Sequence, residues 1–170
     1  AVSALTEIAL ATGDLATVCV VGAPLQRNNR LFNCAVVMAN GKIEGVVPKS
    51  FLPNYGEFYE KRWFASGHDT TGTIEVGNNT VPFGTDLLFR CHTAANRGDF
   101  KFGIEICEDL WVPVPPGTRL AVAGADIILN LSATDELTGK HDYLVNLIRN
   151  QSARCRSAYV YASAGLGESS

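Results

Sequence analysis

Residues 101–111, with the sequence KFGIEICEDLW, carry the side chains best suited to covalent chemistry. Apolar residues alternate with others up to Ile106, which predicts a strand with one buried face that ends at Cys107. A thiol at a strand end, followed at once by Glu108 and Asp109, has the placement of a nucleophile held on a sharp turn. A free cysteine more often serves as a small buried hydrophobe, so a purely structural role is the competing interpretation.

Length and composition limit the partners and the compartment of the chain. Its 170 residues, 46% of them hydrophobic, are enough for one globular domain with a core. A net charge of -3 without a long basic run predicts neither a nucleic-acid nor a membrane partner. Five cysteines without a Cys-x-x-Cys pair favour free thiols in a reducing cytoplasm, and three histidines far apart predict no metal site.

The two ends of the sequence indicate a piece of a longer protein. The chain starts at Ala1 in the middle of a helical pattern without an initiating Met, and it ends at Ser170 shortly after a strand-like segment. No signal peptide is recognisable, and no apolar stretch approaches the roughly 18 residues of a membrane span. We therefore expect a fragment.

The element pattern predicts an α/β fold with mixed sheets. Helical spacing covers 2–12 and 140–155, and a short helix is expected at 118–123. An apolar run at 17–22, closed by Pro24, predicts a strand buried on both faces. Asn40-Gly41 joins two strands, at 31–38 and 42–47, because this dipeptide supplies the positive φ of a type I′ turn. Further strands are expected at 72–76, 87–91, 126–131 and 158–163.

The loop at 48–64, PKSFLPNYGEFYEKRWF, is unusually aromatic for an exposed segment. We expect it to fold onto a pocket, with packing for stability alone as the alternative. Lys49 stands at its start. A solvated surface lysine is the commonest fate of this residue type, and its place between a hairpin and an aromatic loop favours a role in the site.

Three segments together resemble one family. Residues 103–111, the loop at 48–64 and Asn130-Leu131-Ser132 are similar to the nitrilase, or carbon-nitrogen hydrolase, superfamily, most of all to the glutaminase domains of glutamine-dependent NAD(+) synthetases. The resemblance extends from about Val18 to the end of the chain. It implies a nitrilase-like α-β-β-α sandwich with mixed sheets, of which residues 1–170 are a partial glutaminase domain without the synthetase domain.

The resemblance also implies a Glu-Lys-Cys triad. Cys107 matches the nucleophile and Lys49 matches the lysine, while the general-base glutamate belongs to a segment that would precede residue 1. Glu57 matches a position that supports the lysine. The implied reaction is hydrolysis of the glutamine side-chain amide through a thioester, with the ammonia passed to the synthetase domain of the same parent chain.

Substrate contacts follow from the same motif positions. The glutamine-binding positions correspond to Tyr55, Glu108, Trp111, Thr134 and Lys140. Relatives can carry Arg and Ser where this chain has Lys140 and Thr134, and a lysine keeps the charge but loses the bidentate fork. No cofactor is expected in this domain; ATP, Mg and deamido-NAD are expected in the synthetase domain, and the parent is expected to be a homo-oligomer.

Two other interpretations remain open at this stage. One is a free-standing amidase of the same superfamily that acts on another amide or nitrile, which the run from Glu108 to Trp111 disfavours. The other is an inert binding or assembly module with a structural cysteine. Selective alkylation of Cys107 and its protection by glutamine distinguish a catalytic cysteine from a structural one, and a glutaminase assay on the parent protein separates the two enzyme interpretations.

We predict that the 170-residue chain by itself does not turn over glutamine. A triad acts as a unit, so without the upstream glutamate no group takes the thiol proton or activates water, and turnover should be about 10³-fold or more below that of the full-length parent. Glu57 is the one carboxylate in the sequence that we consider a plausible replacement for the general base. The measurement is steady-state glutamate release by both purified proteins; comparable rates would mean that a base lies within this chain.

Overall fold

The computed structural model describes residues 1–92, 98–134 and 137–165. The chain divides into two compact units, residues 1–87 and 88–170, and each is described by itself. Both units combine β-sheet with helix, as the alternating pattern in the sequence predicts.

The first unit holds one helix, a three-stranded antiparallel sheet and a separate two-stranded hairpin. The three-stranded sheet has the order β1-β2-β3, and the hairpin pairs β4 with β5. A short 3-10 helix, Glu60–Arg62, interrupts the long aromatic loop. The bounds are α1 Val2–Ala11, β1 Cys19–Arg27, β2 Arg30–Ala39, β3 Lys42–Pro48, β4 Thr73–Val76 and β5 Asn79–Pro82.

Two tight turns connect the strands of the three-stranded sheet. Asn40 and Gly41 have φ of 51° and 78°, which confirms the predicted hairpin. Asn28 and Asn29, with φ of 50° and 59°, form a second such turn that sequence reasoning missed. The prediction that Pro24 closes the first strand is wrong: β1 continues to Arg27. It lies at the edge of the sheet, where a residue without an N–H is tolerated.

The core of the first unit lies between the sheet, the small hairpin and α1. Phe83, Met38 and Val46 are fully buried, and Leu5 of α1 packs into the same cluster. Phe83 meets Phe32 edge to face at 5.3 Å between ring centroids. The amphipathic helix that the spacing predicts is therefore held by tertiary packing on one face, as short helices in proteins usually are.

The second unit is built on a four-stranded mixed sheet of order β6-β7-β8-β9. The strands β7, β8 and β9 run parallel, and β6 is antiparallel to β7. A 3-10 helix, Cys107–Trp111, follows β7 directly. The bounds are β6 Phe89–His92, β7 Asp99–Ile106, α2 Pro116–Val122, β8 Ile127–Ser132, α3 Lys140–Cys155 and β9 Ala158–Ser163.

The parallel strands bring their carboxyl ends to one edge of this sheet. Glu105, Asn130 and Tyr161 are aligned in register across β7, β8 and β9. The C-terminal part of β7 is buried on both faces, so the prediction of a single buried face is wrong. The second face is covered by α2. A Cβ on Gly103 would lie only 2.8 Å from a carbon of the Leu120 side chain in α2.

Two further features concern only the part of the chain that the structure describes. None of its helices is long and apolar enough to cross a bilayer. Nor do its His, Cys, Asp and Glu side chains form a group of three or more that could hold a metal ion.

Gly67 and Gly22 make a matched pair for testing the packing of the first unit. A Cβ on Gly67 would lie 2.6 Å from two carbons of the Pro48 side chain, whereas a Cβ on Gly22 would meet nothing within 4 Å. We expect Gly67→Ala to lower the free energy of unfolding by about 1–3 kcal/mol, the usual cost of overpacking. Gly22→Ala should leave it unchanged or raise it by up to about 1 kcal/mol. Urea unfolding measures both, and equal effects would contradict the described contact.

Candidate active site

Cys107 lies at the carboxyl end of β7, in the first position of the 3-10 helix that follows. Its φ of 47° places a non-glycine residue in the left-handed region, a conformation found mostly where a structure imposes it. The Asp109 carboxylate turns back and accepts the N–H of Ile106 at 2.9 Å. These features confirm the sharp turn at a strand end that the sequence pattern predicts.

The amide of Cys107 is held by a side chain from the neighbouring strand. Its N–H donates to Oδ1 of Asn130, in β8, over 3.1 Å. Asn130 is 1% exposed, so this hydrogen bond is protected from solvent. The backbone of the cysteine is therefore tied directly to the middle of the parallel sheet.

Hydroxyl groups lie beside the thiol. Sγ of Cys107 and Oγ1 of Thr134 are 4.0 Å apart. The Ser132 hydroxyl donates to Thr134 over 3.4 Å, and the Tyr161 hydroxyl donates to Ser132 over 2.5 Å. The structure thus brings two predicted site residues, Cys107 and Thr134, together at the end of β7 and β8, and links them to β9.

A buried carboxyl group lies behind the cysteine, and sequence reasoning missed it. Glu105 is 1% exposed; it accepts the Gly117 N–H at 2.6 Å and the hydroxyl of Tyr159. Burial raises the pKa of Glu105, and hydrogen bonds from Tyr159, Gly117 and Asn130 oppose that rise. Burial and the neighbouring Glu105 also raise the pKa of Tyr159. A glutamate between two isoleucines of a buried strand was the signal in the sequence.

Lys49 is buried in the first unit and is paired with a carboxylate. It follows the last residue of β3, its side chain is 2% exposed, and its Nζ lies 2.6 Å from Oε2 of Glu60. The other oxygen of Glu60 accepts from Nδ2 of Asn33 at 3.1 Å. The burial excludes the alternative of a solvated surface lysine, and the pair fixes the ammonium at a defined position.

The carboxylate that pairs with Lys49 is Glu60, whereas the sequence analysis gave the supporting position to Glu57. Glu57 is exposed in the loop, whereas Glu60 opens the 3-10 helix that turns the loop back towards β3. The Glu60 N–H donates to the carbonyl of Pro53 over 3.1 Å, which fixes this turn. Spacing along a loop without regular structure could not distinguish the two glutamates.

The other predicted substrate-binding residues differ in their contacts and in their exposure to solvent. Trp111 stacks on Tyr143 with ring centroids 5.6 Å apart, and Nζ of Lys140 lies 5.8 Å from the Trp111 ring centroid. Glu108 is half-buried in the same 3-10 helix. In the first unit Tyr55 is 59% exposed and meets Phe58 edge to face. Of these residues, Trp111 and Lys140 are therefore brought together, with the ammonium near the indole ring.

The five cysteines all carry free thiols, and they differ in environment. Cys34 is fully buried in β2, and burial raises its pKa to about 12. Burial also raises the pKa of Cys91. Cys107 is partly exposed at the end of its strand. A thiolate is the reactive form of cysteine, so we expect the buried Cys34 to resist alkylation at neutral pH.

The chain matches a known family over nearly its whole length. The carbon-nitrogen hydrolase model matches residues 2–169. The chain belongs to the carbon-nitrogen hydrolase family. Among solved structures, the glutamine-dependent NAD(+) synthetase from Cytophaga hutchinsonii matches with a TM-score of 0.78 and 31% identity, over 95% of this chain and 25% of that one. The α/β fold is that of the nitrilase superfamily. A Saccharomyces cerevisiae member of branch 10 of that superfamily shares the fold, with a TM-score of 0.64 and 20% identity over 99% of this chain and 52% of that one.

Curated relatives of this carbon-nitrogen hydrolase carry the same synthetase name. The glutamine-dependent NAD(+) synthetase of Mycobacterium tuberculosis is 48% identical over 166 residues, which are 98% of this chain and 24% of that protein. The human enzyme of the same name is 31% identical over 156 residues, 86% of this chain and 21% of that protein. The chain thus spans about a quarter of the length of these relatives.

Glu60 and Glu57 allow a direct test of the buried pair. We expect Glu60→Gln to lower the free energy of unfolding by about 2 kcal/mol, because the buried ammonium of Lys49 loses its counter-charge. Removing one partner of a fully buried ion pair costs about 3–5 kcal/mol. The loss should be smaller here, because Glu60 is partly exposed and Gln keeps an acceptor oxygen. Glu57→Gln removes the same charge from an exposed site and should change stability by less than about 0.5 kcal/mol. Denaturant unfolding of both variants provides the comparison, and a larger loss for Glu57→Gln would contradict the pairing.

Proposed function

We propose that this carbon-nitrogen hydrolase domain hydrolyses the side-chain amide of glutamine, with Cys107 as the nucleophile, and supplies ammonia to the synthetase domain of a longer NAD(+) synthetase. The observation that carries the proposal is the placement of Cys107: a partly exposed thiol at the end of a parallel strand, in a left-handed conformation, with its amide bound to Asn130. The names of the relatives support the substrate class.

The reaction divides into two acyl transfers. The Cys107 thiol passes its proton to a general-base carboxylate of the parent protein, the thiolate attacks the amide carbon, and a C–S bond forms. The C–N bond then breaks as the base returns that proton to the nitrogen, which leaves as ammonia. Water then attacks the thioester, the C–S bond breaks, and glutamate and the thiol are released. Covalent catalysis suits this substrate because an amide is a poor electrophile with a poor leaving group.

Lys49 serves as the positive charge of the site in this proposal. An ammonium beside the thiol favours the thiolate and stabilises the oxyanion of each tetrahedral intermediate. Its pairing with Glu60 holds it in one position, and we assign to Glu60 the supporting role that sequence reasoning gave to Glu57. The N–H of Cys107 already donates to Asn130, so the backbone donor to the oxyanion must be another amide.

The substrate contacts that we propose lie around the thiol and in the aromatic loop. We assign to Thr134 a contact with the glutamine side chain, and its Oγ1 4.0 Å from Sγ of Cys107 supports this. Lys140, near the Trp111 ring, would take the α-carboxylate, and Glu108 would pair with the α-ammonium. Tyr55 is proposed as a further glutamine contact from its motif position alone. Because a lysine lacks the fork of an arginine, we expect Lys140 to bind the carboxylate as a point charge.

The remaining parts of the proposal concern the parent protein. No cofactor is assigned to this domain, and ATP, Mg and deamido-NAD belong to the proposed synthetase domain. A homo-oligomeric state and a cytoplasmic location stay predictions. The competing function, a free-standing amidase that acts on another amide, differs from this proposal in its substrate and in the fate of the ammonia.

Cys107→Ala in the full-length parent tests the function. We expect glutamine-dependent formation of NAD to fall by about 10⁴-fold or more, because the covalent route is lost, while formation from free ammonia persists. The two activities are measured by NAD production with either nitrogen source. Equal loss of both would contradict the ammonia-supplying role, and full retention of glutamine-dependent activity would exclude Cys107 as the nucleophile.

Alkylation provides the control within the same protein. Iodoacetamide at pH 7.5 should label Cys107 and leave Cys34 unlabelled, since burial raises the pKa of Cys34 to about 12. Glutamine should protect Cys107, and a simple aliphatic amide at the same concentration should protect it less. Stronger protection by the aliphatic amide would favour the free-standing amidase.

A further inference from the structure

A chain of hydrogen bonds connects the backbone of Cys107 to the buried carboxyl group of Glu105. The Cys107 N–H donates to Oδ1 of Asn130 over 3.1 Å. Nδ2 of the same amide donates to the Tyr159 hydroxyl over 3.0 Å, and that hydroxyl donates to Oε1 of Glu105. Both functional atoms of the Asn130 side chain are therefore used, one on the cysteine and one on the tyrosine, which leaves a single orientation of the amide that satisfies both.

The carboxyl group at the end of this chain is itself fixed. Oε2 of Glu105 accepts the N–H of Gly117, the second residue of α2, over 2.6 Å. A Cβ at position 117 would lie 2.7 Å from the same oxygen, so the close approach requires glycine. Glu105 and Asn130 are each 1% exposed, and burying them is costly unless every polar atom is bonded.

These hydrogen bonds do more than satisfy buried polar groups, because they also act on the backbone conformation of Cys107. A non-glycine residue with a φ of 47° relaxes towards negative φ unless its neighbours hold it. The contact between Asn130 and the Cys107 N–H acts on the peptide that sets this dihedral angle, and the direction of the thiol follows from the backbone.

We propose that Asn130, Tyr159 and Glu105 form a positioning network that holds the Cys107 backbone in its left-handed conformation and so directs the thiol at the substrate carbonyl. None of the three touches the reacting atoms; each acts through the cysteine. The inference rests on the proposed function, because it needs Cys107 as the nucleophile.

The network makes a specific demand on residue 105. Glu105 offers an acceptor oxygen to each of two donors, the Gly117 N–H and the Tyr159 hydroxyl. A glutamine there has one acceptor and one donor, so one of these two partners would face an N–H group. The substitution that preserves size most closely should therefore still disturb the network.

The test compares Tyr159→Phe, Asn130→Ala, their double variant and Glu105→Gln in the full-length parent. A misplaced nucleophile lowers kcat more than it raises KM, so for glutamine hydrolysis we expect kcat to fall about 10-fold in Tyr159→Phe and about 100-fold in Asn130→Ala. KM should stay within about threefold. Glu105→Gln should resemble Tyr159→Phe. The double variant should be no more than about twofold slower than Asn130→Ala, because both act on one contact.

Thr118→Val is the matched control. It deletes a hydroxyl that binds Gln151, another side chain that is 1% exposed in the same unit, and this pair takes no part in the network. Thermal unfolding is measured for all variants, and Thr118→Val should lower the unfolding temperature to a similar extent while kcat stays within about twofold of wild type. If Tyr159→Phe and Asn130→Ala reduce kcat no more than this control does, the three residues are structural only and the inference is wrong.

The outcome with Cys107→Ala separates this inference from the proposed function. If Cys107→Ala retains glutamine hydrolysis, the proposed function fails first. If it loses hydrolysis while the network variants keep the wild-type kcat, only the network is refuted. If Asn130→Ala does not fold, Tyr159→Phe decides the test alone, since it keeps the ring and removes only the hydroxyl.

Discussion

The hydrogen bond from the Cys107 amide to the Asn130 side chain is the contact on which the account of the second unit depends. It joins the residue after β7 to the strand beside it, at the edge where parallel strands end together. Ligands of α/β proteins commonly bind at the carboxyl ends of such strands. Here that edge also carries Thr134 and the hydroxyl groups of Ser132 and Tyr161, which place polar groups around a partly exposed thiol.

Each unit also holds a carboxylate with specific partners: Glu105 is buried, whereas Glu60 is partly exposed beside the buried ammonium of Lys49. Glu60 pairs with the ammonium of Lys49, and Glu105 accepts from Gly117 and Tyr159. Buried charges and buried carboxyl groups contribute little net stability, because desolvation offsets most of the attraction. Their effect is geometric, since each leaves its partner one position in which every polar atom is bonded.

The sequence predicted those parts of the molecule that local pattern determines. The Asn40-Gly41 turn and the strand before Cys107 follow from backbone preference and period-two alternation, and both elements are confirmed, although this strand is buried on both faces and not on one. The pair of Lys49 with Glu60 was not foreseen, because this contact depends on how an irregular loop turns back, which spacing does not encode. Glu105 was missed for a related reason: its partners come from α2 and β9, and only the parallel register brings them together.

The central claim is that Cys107 is the nucleophile that acylates, and a glutamine analogue with a diazoketone in place of the amide tests it most directly. The diazo carbon takes up the thiol proton, the thiolate displaces N₂ from the resulting CH₂ group, and a stable thioether remains. The modified residue can then be identified by peptide mass spectrometry after digestion of the full-length parent. The account predicts one adduct, on Cys107, that forms in step with the loss of glutamine hydrolysis and is prevented by glutamine. Complete inactivation with the adduct on another residue, or with Cys107 unmodified, would contradict it.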